Sequence, residues 1–262
     1  MALIWLQDLR LNAVIEGPEG APPVVFLHAL GTDLTIWDET VAALAPRFRC
    51  LRFDARGHGR SDVPTPPYSM GALIRDAESL MEHFALKDAV VVGCSMGGLV
   101  AQGLATKRLD LVRAMVLTNT AAKIGGPGLW QTRAAEVAET GLSTYAPGAM
   151  ERMFGRKWQE APAMPRIRAM LQGMNPQGWI GCAHAIAGAD FYTTTAALGL
   201  PTLVIAGTND GTTPPDLVRE TADLIRGHRW ELMRATGHLP MVERPEAFIA
   251  LLADFLQSIG HG

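Results

Sequence analysis

Five residues, Gly93-Cys94-Ser95-Met96-Gly97, constrain this chain more than any others, because they hold a serine between two glycines directly after the apolar run Ala89 to Val92. G-x-S-x-G after a buried strand describes a nucleophile elbow. The chain passes from strand to helix so sharply that only small neighbours fit, and the strain pushes the serine hydroxyl out above the sheet edge. The next residues, Gly98 to Ala105, are apolar and contain Ala and Leu, as that helix requires. The N–H groups at its start face any negative charge that forms beside Ser95. Taken alone, the pattern also suits a glycine-rich turn between a buried strand and a helix, so the rest of the chain must decide.

Short apolar runs bounded by turn residues alternate with longer amphipathic segments, which predicts an α/β fold with a mostly parallel central sheet flanked by helices. Strands are expected at Leu9 to Glu16, Val24 to Leu27, Cys50 to Asp54, Ala89 to Gly93, Ala114 to Thr118, Thr202 to Gly207 and Arg229 to Met233. Helices are expected at Leu73 to Phe84, directly after Ser95, at Pro215 to Ile225 and at Pro245 to Ser258. The last has one apolar face made by Ala247, Phe248, Leu251, Leu252, Phe255 and Leu256. Residues 121–198 break the rhythm with Gly125-Gly126-Pro127-Gly128 and helix-like segments rich in Ala, Met, Trp and Arg. They read as a helical cap inserted into a core of residues 1–120 and 199–262, lying over the strand ends where open α/β sheets bind ligands. The cap has a small excess of basic residues and the core an excess of acidic ones.

The formal net charge of −3 and 48% hydrophobic residues in 262 suit a soluble globular protein with a sizeable core and argue against nucleic acid as a partner. Cys50, Cys94 and Cys182 are odd in number, widely spaced and without metal-ligand spacing, so they read as reduced core thiols. The first residues lack a basic region and a small-residue cleavage site, and no uncharged run approaches membrane-spanning length. The expectation is a cytoplasmic protein without a membrane partner.

A serine hydroxyl is a weak nucleophile until a base takes its proton, and a histidine base needs an acid to hold its tautomer. Behind a nucleophile elbow the chain order of such a triad is Ser, acid, His. Asp210 follows the apolar Leu203-Val204-Ile205, and His238 lies after the last expected strand, so both occupy loops at strand ends. Asp216 is the reserve acid, although its place after Pro214-Pro215 suits a helix start. The oxyanion of a tetrahedral intermediate needs N–H donors. Met96, after the nucleophile, is expected to supply one and Leu30, in the loop after Val24 to Leu27, the other; their side chains remain available to line a pocket. His28 reads as a loop-packing residue, and Asp54 to Asp62 as a hydrogen-bonded loop bracing the site.

With these residues in place the chain resembles an α/β-hydrolase over essentially its full length. The segments His28 to Asp33, Asp54 to Gly59 and Gly93 to Gly98 carry that resemblance. More narrowly, Leu117 to Gly125, Trp130 to Arg133 and Gly181 to Ile186 are similar to the 3-oxoadipate enol-lactonases of aromatic catabolism. The resemblance implies serine hydrolysis of a small anionic lactone through an acyl-enzyme, with no metal or organic cofactor. A substrate carboxylate calls for a cation in the pocket. Arg133 is the first candidate, since it shares a helix face with Trp130, and Lys123 the second. The same triad also serves lactonases or esterases of other small acyl substrates and carbon–carbon bond hydrolases, and the scaffold serves hydrolase-like ligand-sensing receptors.

Overall fold

The computed structural model describes residues 2–155 and 162–262; residues 156–161, inside the expected cap, lie outside the described residues. All seven expected strands form. They are β2 (Arg10–Glu16), β3 (Pro23–Leu27), β4 (Arg49–Phe53), β5 (Ala89–Cys94), β6 (Val112–Thr118), β7 (Thr202–Gly207) and β8 (Arg229–Met233). An eighth, β1 (Ala2–Trp5), was not anticipated. It is an edge strand paired only with β2, and its residues are mostly exposed, Trp5 by 73%. Such a strand lacks the buried alternation by which a sequence reveals one.

The strand order is β1-β2-β4-β3-β5-β6-β7-β8, with β1–β2 and β2–β4 antiparallel and every later pair parallel. Alternate side chains of the buried strands enter two separate cores, as a period of two demands. Val25, Leu27, Val91, Leu117 and Val204 pack on one face with helices α2 (Met70–His83) and α3 (Met96–Lys107). Val24, Phe26, Val90, Val116 and Ile205 pack on the other, against Trp37, Val41 of α1 (Asp38–Leu44) and Phe248, Leu252 and Phe255 near the C-terminus. Helix α1 was not among the expected helices, and α2 begins at Met70, three residues before the expected Leu73, where Ser69 caps it by accepting the Ala72 N–H at 3.2 Å.

Between β6 and β7 run α4 (Pro127–Phe154), α5 (Met164–Gly173), α6 (Pro176–Ala187) and α7 (Tyr192–Ala196). Gly141, at φ 77 and ψ 165, divides α4 into two helical segments, and α4 packs against α5 and α6. After β7 come α8 (Pro215–Leu224), α9 (Pro240–Glu243) and α10 (Pro245–Ser258), the last with the bounds expected of it.

This strand order creates a crevice. From β3 the chain moves one way to β4, then crosses back to β5 and continues the other way, so the loops after β3 and β5 diverge at a topological switch point. Leu30 follows one strand and Ser95 the other. The β3 loop is held from behind by two buried histidines whose rings meet edge to face at 4.9 Å. His28 Nε2 accepts the Ala55 N–H at 2.9 Å, and His58 Nε2 accepts the Gly31 N–H at 3.0 Å. Each Nδ1 donates to a carbonyl, Ala29 at 2.8 Å and Arg56 at 3.2 Å, so both rings are used in their neutral form. Asp54 adds acceptors for the Leu34 and Arg60 N–H groups, and Arg56 forms a buried two-point pair with Asp76 at 2.7 Å. Residues 54–62 thus brace the β3 loop as expected.

Burial drives the proton affinity of both rings down, and His28 lowers that of His58 further; burial lowers His261 as well. A histidine whose folded pKa lies below its unfolded value of about 6.5 contributes stability that is present above that pH and is lost as the pH falls, because the unfolded chain takes up the proton first. Urea unfolding should therefore show stability declining between pH 7 and pH 5.5, each such histidine adding up to about 1.4 kcal/mol per pH unit. His58→Gln, which keeps an acceptor but does not titrate, should make the slope shallower; an unchanged slope contradicts the assignment.

Candidate active site

Strand β5 ends at Cys94 and α3 begins at Met96, so Ser95 makes the turn alone, at φ 55 and ψ −116. A non-glycine residue holds such a conformation only where the surroundings impose it. Here they do so by contact of backbone on backbone. A Cβ on Gly93 would lie 2.4 Å from the Gly97 carbonyl oxygen, and one on Gly97 would lie 2.2 Å from the Leu27 carbonyl oxygen. Both positions exclude every side chain. The Ser95 carbonyl accepts the Thr120 hydroxyl at 2.7 Å, and its N–H donates to Thr118 O at 3.2 Å.

Asp210 and His238 converge from the loops after β7 and β8. His238 Nδ1 donates to Asp210 Oδ2 at 2.7 Å with both side chains buried, leaving Nε2 as the free ring nitrogen. Asp210 accepts four further hydrogen bonds: from Asn119 Nδ2 (2.9 Å) and the Thr213 hydroxyl (2.7 Å) on Oδ2, and from the Thr212 and Thr213 N–H groups (2.8 and 3.2 Å) on Oδ1. Burial pushes its carboxyl up, but the charge of His238 and the hydrogen bonds from His238, Thr213 and Asn119 prevail and hold it below the usual carboxylate range. Asp216, the reserve acid, is exposed in the first turn of α8.

Asn119 escaped the sequence reading. It sits just past β6 at φ 48, and its amide donates both to Asp210 and to the Gly237 carbonyl at 3.0 Å, tying the two loops together. Helix α4 ties them a second time. The Arg152 carbonyl accepts the Gly211 N–H at 2.8 Å, and the Met153 carbonyl accepts the His238 N–H at 2.9 Å.

Ser95 and His238 share the wall of a cavity with Leu30, Trp130, Arg133, Tyr145, Arg152 and Trp179. Among the described residues the Leu30 N–H has no acceptor, whereas the neighbouring Gly31 and Thr32 N–H groups are taken by His58 and Ala29. The Met96 N–H opens α3, where helix geometry leaves it unpaired. The Leu30 side chain lines this cavity, whereas that of Met96 is buried beside Leu27, Leu73 and Val100.

Trp130 and Arg133 present themselves together, the guanidinium carbon 4.9 Å from the indole ring, and Trp130 Nε1 is fixed on the Ile124 carbonyl. Lys123 must be corrected. Its ammonium pairs with exposed Asp190 at 2.9 Å, and it is absent from the cavity wall. The second cation is Arg152, whose guanidinium carbon lies 5.2 Å from the Tyr145 ring. Among the described residues neither arginine has a carboxylate within ion-pair distance. Burial lowers the proton affinity of Arg133, and the charge of Arg152 adds to that, against Tyr145 and Glu136. Tyr145, Ala149, Arg152 and Met153 recur at the spacing of one helix face, a signal readable in the sequence but indistinguishable there from packing.

Among the described residues no helix is long and apolar enough to cross a membrane. A family model described as the alpha/beta hydrolase fold matches residues 22–245. The chain is 33% identical over 244 residues to 3-oxoadipate enol-lactonase 2 of Acinetobacter baylyi, covering 92% of this chain and 91% of that protein. The crystal structure of the enol-lactonase from Burkholderia xenovorans superposes with a TM-score of 0.93 at 34% identity, covering 98% of this chain and 100% of that one. A malate-bound thermophilic esterase from Thermogutta terrifontis superposes at 0.90 with 28% identity, covering 97% of this chain and 95% of the other. Sheet order, elbow and sequence similarity therefore agree, and the chain belongs to the α/β-hydrolase family.

Proposed function

We propose that this protein is a serine hydrolase that opens a small lactone bearing a free carboxylate, 3-oxoadipate enol-lactone being the substrate that its similarity to enol-lactonases favours. The observation that carries this reading is the pair Arg133 and Arg152, two cations in the same cavity as Ser95 and His238 with no carboxylate partner among the described residues. Two like charges held together in a half-buried site are costly unless an anion joins them, and a carboxylate suits the planar donors of guanidinium.

In this mechanism Ser95 Oγ attacks the ring carbonyl carbon while His238 Nε2 takes the hydroxyl proton. Asp210 holds Nδ1 and stabilises the imidazolium that results. The Leu30 and Met96 N–H groups receive the oxyanion. As the tetrahedral intermediate collapses, the ring C–O bond breaks and the enolate oxygen leaves, a better leaving group than a simple alkoxide. It remains tethered, and tautomerisation to the ketone, with the proton that His238 took from Ser95 delivered to the enolate, removes it as a nucleophile and leaves His238 neutral again. A water molecule then attacks the acyl-enzyme, His238 taking its proton and passing it to Ser95 Oγ, and the free acid is released. Indole and phenol rings of Trp130, Tyr145 and Trp179 supply the apolar walls.

Ser95→Ala and His238→Ala should each reduce turnover by several orders of magnitude while preserving the circular dichroism of the fold, and the losses should not add, since the residues act as a unit. Asp210→Asn should lower turnover by up to about 10⁴ by favouring the wrong imidazole tautomer, with Asp216→Asn near wild type. Activity within tenfold of wild type in either of the first two variants removes the triad.

Substrate class is tested by comparing the enol-lactone with a neutral ester such as p-nitrophenyl acetate. Arg133→Ala and Arg152→Ala should each lower kcat/KM for the lactone by about 10- to 150-fold, the range for hydrogen bonds to a charged group, and affect the neutral ester far less. Arg133→Lys should restore only part of the loss. Equal losses on the two substrates would assign the arginines to structural support instead.

A further inference from the structure

Helix α9 is a single turn that begins one residue after Leu239, and its last residue, Glu243, folds back toward the loop that carries His238. Glu243 Oε2 accepts the Gly237 N–H at 2.8 Å, and Oε1 accepts the Leu239 N–H at 3.1 Å. The two oxygens of one carboxylate thus grip the peptide groups on either side of His238. The remaining polar atoms of this stretch are also engaged. His238 N–H donates to the Met153 carbonyl at 2.9 Å, the Gly237 carbonyl accepts Asn119 Nδ2 at 3.0 Å, and the Cys94 thiol lies 3.5 Å from the His238 carbonyl.

The chemistry of this grip is selective. Both partners are N–H donors, so both side-chain oxygens must accept. Only an ionised carboxylate does that; an amide or a protonated acid offers one acceptor and turns a donor toward the other N–H. Glu243 makes no contact with the Ser95 hydroxyl, and it does not line the cavity. A half-buried carboxylate at the back of the loop has another consequence: although burial raises its proton affinity, in its ionised form it places a second negative charge near His238 in addition to Asp210.

We infer that Glu243 is a positioning residue for the hydrolytic reaction: its carboxylate clips the backbone on both sides of His238 and so holds the imidazole in line between Asp210 and Ser95. This rests on the triad reading above. A base that must first take a proton from Ser95 and then return one loses rate when its ring wanders, even where substrate still binds.

Steady-state hydrolysis of p-nitrophenyl acetate tests the inference without depending on the lactone. Glu243→Gln should lower kcat by about 10- to 100-fold with KM within twofold, and the low-field proton NMR signal of the His238 Nδ1 proton should broaden or move upfield. Glu243→Asp retains two acceptors on a stem one methylene shorter and should recover part of kcat and of the signal. The inference fails if Glu243→Gln keeps kcat within twofold of wild type, if Glu243→Asp is no better than Glu243→Gln, or if both lose the native circular dichroism, which would make Glu243 a residue of the fold. His238→Ala separates the two readings. Inactivity there with an active Glu243→Gln overturns the clip alone, whereas an active His238→Ala overturns the triad.

Discussion

The structure turns on an approach of backbone to backbone. Gly97 lies against the Leu27 carbonyl and Gly93 against the Gly97 carbonyl, closer than any Cβ permits. Because β3 and β5 are hydrogen-bonded neighbours, this contact seats the start of α3 directly beside the end of β3. The strained φ of Ser95 is thereby imposed from both sides. The same contact sets the distance between the loop of Leu30 and the first N–H of α3. The two groups proposed as oxyanion donors therefore come from different strands, yet their separation depends on two glycines and not on a flexible loop.

Around that fixed turn, the loops after β7 and β8 behave as one unit. Asn119 bonds to both, and the carbonyls of Arg152 and Met153 bond to one each. Helix α4 therefore ends in direct register with the acid and the base, while the side chain of Arg152 enters the cavity. In the proposed reaction, recognition of an anion and the geometry of proton transfer are joined through consecutive peptide groups of a single helix end. Buried polar groups in such a network stabilise it only when each has a partner, and Asp210, with five donors, meets that condition.

The cavity combines aromatic walls with two guanidinium groups that have no ion-paired carboxylate among the described residues. Stacking on Trp130 and Tyr145 offers each cation a favourable face, and Arg152 also interacts with the Tyr145 hydroxyl. Lys123 shows the contrary case, since an ammonium engaged by Asp190 at the surface has little left to offer a substrate.

Local residue patterns were enough to determine the parallel sheet, the elbow at Ser95, the bounds of α10 and the placing of Asp210 and His238 in strand-end loops. Each of these depends on neighbours within a few residues: apolar runs of period two, a helical stripe, two glycines flanking a serine. The edge strand β1 was not legible, because its stability comes from pairing with β2 and not from burial of its own side chains. The bond of Asn119 to Asp210, the second cation Arg152 and the pairing of Lys123 with a residue 67 positions away were decided by tertiary structure alone. In each case the deciding quantity is a distance between groups brought together by strand order and helix packing, and the local sequence around either residue does not encode it.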